Sequence, residues 1–138
     1  MRFMILVRAT AQSESEAAPN DDEKLMAAMA DYHEQLAKAG VLLDASGLQP
    51  SSKGWRIRYS GGRRQVLDGP FAETKELIAG YTMIQVRSRE EALEWTRRFP
   101  APFGDGVDCE VEVRQVYDFD DFIPSPSVER FRELGTGG

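Results

Sequence analysis

One cysteine and one histidine in 138 residues already exclude several kinds of chemistry. A single thiol, Cys109, permits neither an intrachain disulfide nor a thiolate metal cluster. It falls in an alternating stretch and reads as a small buried hydrophobe. With His33 the sole imidazole, and with no His, Asp and Glu at ligand spacing, no metal site and no cofactor are expected. A nucleophile elbow and a phosphate-binding loop are both missing. Positive charge is scarce too: 17 Lys and Arg face 23 Asp and Glu, a formal net charge of −6. Binding a phosphate backbone rewards clustered cations, so no nucleic-acid partner is expected. The pair Arg63-Arg64 lies beside glycines and reads as a solvated hairpin tip. Long apolar runs are lacking as well. The opening run of residues 1–7 stops at Arg8, too short for a signal peptide or a membrane span. It reads as a strand, and a cytoplasmic protein with no membrane partner is expected.

What is present is enough for one domain with its own core. Residues 3–7 are apolar on both faces, as a covered central strand is. Asp21 or Asp22 can cap a following helix, in which Leu25, Ala28, Met29, Tyr32, Leu36 and Ala39 recur at steps of three and four. Gly40 ends it. Residues 41–48 form a second strand, broken near Gly47 and stopped by Pro50. Residues 55–59 and 65–68 alternate and are joined through Gly61-Gly62, the pattern of a hairpin with a primed turn. Residues 78–86 are again apolar on both faces. Ser88 and Glu91 have capping-box spacing ahead of a helix with Ala92, Trp95 and Phe99 on its inner stripe, stopped by Pro100 and Pro102. Residues 109–117 alternate cleanly, with Glu110, Glu112 and Arg114 on the polar side.

The order is βαβ, an inserted hairpin, then βαβ, which predicts an α+β fold with a ferredoxin-like βαββαβ core. Residues 1–117 make that domain. Residues 118–138 make an acidic, Pro- and Gly-rich tail, with only Val128, Phe131 and Leu134 as a helical stripe. Two helices cover one face of such a sheet. The other face carries Leu6 or Phe3, Tyr81 and Met83, an apolar patch too large to leave in water. Pairing two such faces in a homodimer covers it.

The run Asp68-Gly69-Pro70-Phe71-Ala72-Glu73-Thr74-Lys75-Glu76, followed by Gly80-Tyr81, resembles the signature of the DGPF-type proteins in the YCII-related superfamily of bacteria. The likeness extends over residues 1–117, through Arg2-Phe3-Met4, Gly40-Val41-Leu42-Leu43, Gly47-Leu48-Gln49-Pro50, Glu91-Ala92-Leu93-Glu94-Trp95 and Val111-Glu112-Val113-Arg114. It implies a dimeric α+β barrel. Most members of that family have no established activity, and many resemble neighbours of extracytoplasmic-function sigma factors. The wider superfamily includes a dehydrochlorinase of chlorinated hydroquinones that uses a His and an Asp. The helix position of that histidine corresponds here to Met29, with His33 one turn later.

Two residues are candidates for catalysis, Asp68 and His33. Asp68 either shapes the loop by accepting backbone N–H groups or faces a cleft as an acid or base. His33 is either a packing residue beside an apolar stripe or a proton acceptor near neutral pH. Glu73 and Lys75, with Glu76, make either a solvated turn or the polar rim of a ligand site. Arg8, Tyr81 and Arg114 belong to the helix-free face, where the arginines either pair with Glu112 in a seam or hold an anionic or phenolic ligand. The leading functional expectation is a dimer that binds a small organic molecule or regulates. The alternatives are a proton-transfer enzyme of dehydrohalogenase or isomerase type, acting on a small aromatic or enol-like compound, and a structural or protein-binding module.

Overall fold

The computed structural model describes residues 1–15 and 22–135. Its first strand, β1 (Arg2–Arg8), is paired on both sides, as its doubly apolar sequence requires. Helix α1 (Glu23–Lys38) starts at Asp22, whose carboxylate accepts the Leu25 N–H at 3.1 Å. Asp21, the other expected cap, lies outside the described residues. Strand β2 (Leu42–Gly47) follows Gly40, whose φ of +74° turns the chain out of the helix. Strands β3 (Trp55–Ser60) and β4 (Arg63–Asp68) form the hairpin. Gly61 and Gly62, at φ +58° and +74°, supply the two positive angles of its turn.

Strand β5 (Ile78–Gln85) leads to helix α2 (Arg89–Arg97). Ser88 Oγ accepts the Glu91 N–H, while the Glu91 carboxylate takes the Arg87 N–H rather than that of Ser88. Strand β6 (Val111–Gln115) is shorter than the alternating stretch 109–117. The pairing with β1 nonetheless continues at each end, through Arg8 N–H to the Glu110 carbonyl and Val116 N–H to the Arg2 carbonyl. Beyond it, helix α3 (Pro126–Glu133) is capped by Ser125 and buries no residue. Phe131 and Leu134 of the expected stripe are largely exposed.

The main sheet has the order β2-β5-β1-β6 with antiparallel neighbours, and the hairpin is a separate two-stranded sheet. This is the ferredoxin-like arrangement, with the first and third core strands central. Phe3 and Ile5 of β1 and Ile84 of β5 face Tyr32 and Leu36 of α1 and Ala92 of α2, with Trp95, Phe99 and Val111 at the margin. Ile5, Leu36 and Ile84 are wholly buried, each stabilising the fold by roughly 1.5–3 kcal/mol relative to exposure. Of the two phenylalanine and leucine alternatives for the other face, Leu6 takes it and Phe3 belongs to the core.

Candidate functional site

The helix-free face is built by side-chain alternation. Register pairs Met4 with Met83 and Leu6 with Tyr81 on one side, and Met4 with Arg114 and Leu6 with Glu112 on the other. The result is a half-buried apolar centre of Met4, Leu6 and Met83 with a polar group at each flank. On one flank the Glu112 carboxylate joins two guanidinium groups, Arg8 at 2.5 Å and Arg114 at 3.2 Å. The hydrogen bonds from Arg114 and then Arg8 hold its carboxyl below the ordinary glutamate value. On the other flank the Tyr81 hydroxyl donates to Asp44 Oδ2 at 2.8 Å, and this bond raises the phenol's pKa. Asp44 arrives there through a bulge in β2, where the register steps between Leu42 and Asp44 and sets the carboxylate on the row of Met83 and Tyr81. Alternation alone gives no sign of this step, so sequence reasoning missed Asp44.

The motif loop has a different geometry. Asp68 ends β4 opposite Trp55 and is exposed, and its carboxylate accepts no hydrogen bond among the described residues. The loop is fixed from outside the motif instead. Phe71 N–H donates to Ser51 Oγ at 3.0 Å, Ser51 Oγ donates to Glu14 Oε1, and Ser51 N–H donates to Glu14 Oε2 at 2.9 Å. Gly69 N–H bonds the Gly54 carbonyl at 3.0 Å, and the Arg56 guanidinium lies 3.8 Å over the Phe71 ring. The expected role of Asp68 as acceptor for N–H groups two or three residues on therefore falls to Ser51. Glu14 and Ser51 went unnoticed in the sequence because they stand 37 residues apart in polar loops without periodicity. Glu73 and Lys75 are exposed around the single turn Thr74–Glu76 that leads into β5.

His33 lies on the other side of the sheet. Its Nδ1 is 2.7 Å from the Met29 carbonyl, which can only accept, so Nδ1 carries the proton. Its Nε2 is 2.8 Å from the hydroxyl of Thr82, which is buried in β5. Tyr32 and Phe99 meet the imidazole edge-on. Beside it, burial pushes the Tyr32 phenol up to about 12 against the opposing charge of Arg98, and its hydroxyl donates to the Trp95 carbonyl at 2.7 Å. The structure thus gathers Arg8, Tyr81 and Arg114 on one face and does not bring His33 and Asp68 together. A shallow depression lined by Tyr59, Gly61, Arg63 and Arg64 is at the hairpin tip, the end opposite Asp68. No group of three or more His, Cys, Asp and Glu suited to a metal ion occurs among the described residues. No described helix is long and apolar enough to cross a membrane.

This arrangement of sheet, hairpin and motif loop has a counterpart among known families. The model of the YCII-related domain matches residues 1–120. The chain belongs to the YCII-related family. An uncharacterized protein of Rhizobium meliloti is similar to it, with 36% identity over 77 residues, 56% of this chain. The match spans 62% of that protein's length. For this YCII-related chain the family match takes in the whole four-stranded sheet, both covering helices and the hairpin, and it stops before α3.

Proposed function

We propose that this YCII-related protein is a homodimer that binds a small anionic or phenolic organic molecule between its helix-free sheet faces. One observation carries the reading: the open face combines an apolar centre with two arginines at one flank and a phenol–carboxylate pair at the other. Arg114 is mostly exposed and shares its single carboxylate partner with Arg8, so this flank holds a surplus positive charge. A planar anion laid on the methionines can accept from that guanidinium fork. Burial of the apolar centre by a second copy strengthens such a contact by excluding water. Proton transfer is the less supported reading, because both ring nitrogens of the half-buried His33 are engaged on the helix-covered side of the sheet and Asp68 stands elsewhere.

Sedimentation at micromolar concentration, with thermal shifts in 4-hydroxybenzoate, salicylate and benzoate, tests both halves. A dimer is expected, burying more than about 1,000 Å² in total. At least one of the three compounds should raise the melting temperature of the wild type and not that of Arg114→Ala. A monomer overturns the assembly. A dimer whose melting temperature none of the compounds moves overturns the ligand class.

A further inference from the structure

The hairpin and the C-terminal segment are opposite in character and lie at opposite corners of the sheet. The hairpin leaves the edge strand β2 at the end where Gly47 pairs with Gly80. The segment 116–135 leaves the other edge strand, β6, beyond the pairing of Gln115 with Phe3, at the far end of the strands. Between residues 55 and 68 the charges are Arg56, Arg58, Arg63 and Arg64 against Asp68 alone. From residue 118 onward they are Asp118, Asp120, Asp121, Glu129 and Glu133 against Arg130 and Arg132. Both regions also expose apolar side chains. Trp55, Ile57, Tyr59 and Val66 share one face of the hairpin through the pairings of Trp55 with Asp68, Ile57 with Val66 and Tyr59 with Arg64. In the C-terminal segment Ile123 is 89% exposed and Leu134 73%.

We propose that the hairpin of one copy clasps the acidic C-terminal segment of a second copy. The proposal rests on the face-to-face dimer suggested above and adds its orientation. A two-fold axis between two opposed sheets can run in any direction in their common plane, and only the two diagonals bring these corners onto one another. Along the diagonal joining hairpin and C-terminal segment, it stacks hairpin on hairpin, four arginines against four, and acidic segment on acidic segment. Along the other diagonal, it lays each hairpin over the partner's C-terminal segment and sets the strands of the two sheets steeply across one another. Like-charge juxtaposition disfavours the first arrangement, and charge complementarity selects the second. Tyr59, on the hairpin face it shares with Trp55, Ile57 and Arg64, then meets Ile123, while Arg56, Arg58 and Arg63 stand on the hairpin's other face and act through the field between the two segments.

Cross-linking gives a direct test in a Cys109→Ser background. The variant Tyr59→Cys/Ile123→Cys should form, on mild oxidation, a reducible covalent dimer of twice the chain mass. Tyr59→Cys alone should stay uncoupled. In sedimentation, Arg58→Glu/Arg63→Glu/Arg64→Glu should weaken the dimer on the order of ten-fold at low salt. Adding Asp120→Lys/Asp121→Lys/Glu129→Lys to the same chain should recover most of that loss. A cross-link by Tyr59→Cys alone, an intrachain bridge, or no bridge at all overturns the clasp while a wild-type dimer stands. So does a dimer indifferent to the arginine reversal. A monomeric wild type overturns the face-to-face reading itself.

Discussion

At Gly69 an added methyl group would sit 1.8 Å from the Ser51 carbonyl oxygen and 2.7 Å from its carbon, so the motif glycine is where it is because another stretch of backbone passes through the space. Gly69→Ala must push rigid chain apart, and a loss of about 3 kcal/mol is expected, the upper part of the overpacking range. Ser51→Ala removes the acceptor of Phe71 N–H and a donor to Glu14, for an expected loss of about 1–3 kcal/mol. Asp68→Ala should change stability by no more than about 0.5 kcal/mol, as exposed substitutions without partners do. Denaturant melts of the three rank them, and a loss at Asp68 as large as that at Ser51 would contradict the assignment. Glu112 brings a pH dependence. Its folded pKa lies below the ordinary glutamate value of 4.5, so its contribution is complete above that value and is lost as pH falls through the lower folded value. Below about pH 4.5 the acid limb of the stability curve should flatten in Glu112→Gln. An unchanged limb would mean that the arginines do not hold the carboxylate in solution.

Between elements, Tyr32 is the joint of α1 and α2, through its bond to the Trp95 carbonyl and its edge-on contacts with Trp95 and Phe99. Its folded pKa of about 12 exceeds the ordinary tyrosine value of 10.0, so the neutral phenol favours the fold. That contribution is whole below pH 10.0 and is lost as pH rises towards 12. Tyr32→Phe should lose about 0.5–1.5 kcal/mol at neutral pH and shed this alkaline dependence. Alkaline melts check it; an equally steep fall in Tyr32→Phe would refute it. Elements of this kind were legible in the sequence because each obeys a local rule: steps of three and four through Tyr32 and Leu36, alternation through β6, paired glycines at the hairpin turn. The faces of β5 were legible for the same reason, whereas for β1 the sequence left Leu6 or Phe3 open, since both faces are apolar. Contacts that depend on a register step or on remote loops were not. Asp44 reaches Tyr81 through a bulge, and Glu14 meets Ser51 only once the fold has formed. His33 was visible as the lone imidazole, but its partner, the hydroxyl of Thr82, is 49 residues away.

For the molecule as a whole, the notable division is between its two sheets. The four-stranded sheet is tied together by β1 and β5, each paired on both sides, whereas the hairpin pairs with neither. Among the described residues its ties concentrate at its base: the Gly69–Gly54 bond, the Ser51 tie to Glu14 and the ring of Phe71 under Arg56. An isolated two-stranded hairpin is marginal in water, so this one depends on its base and on whatever covers its exposed apolar face.

The consequence is one of timing. In deuterated buffer the amides of Phe3, Ile5 and Ile84, at the centre of the main sheet, should exchange only through global unfolding. Those of the β3–β4 ladder should exchange on the order of ten-fold faster or more, through a local opening hinged at residue 69. Raising the protein concentration should slow the hairpin amides if a second copy closes over them and leave the central strands unchanged. Equal rates in both sheets at every concentration would show that the hairpin opens only when everything does.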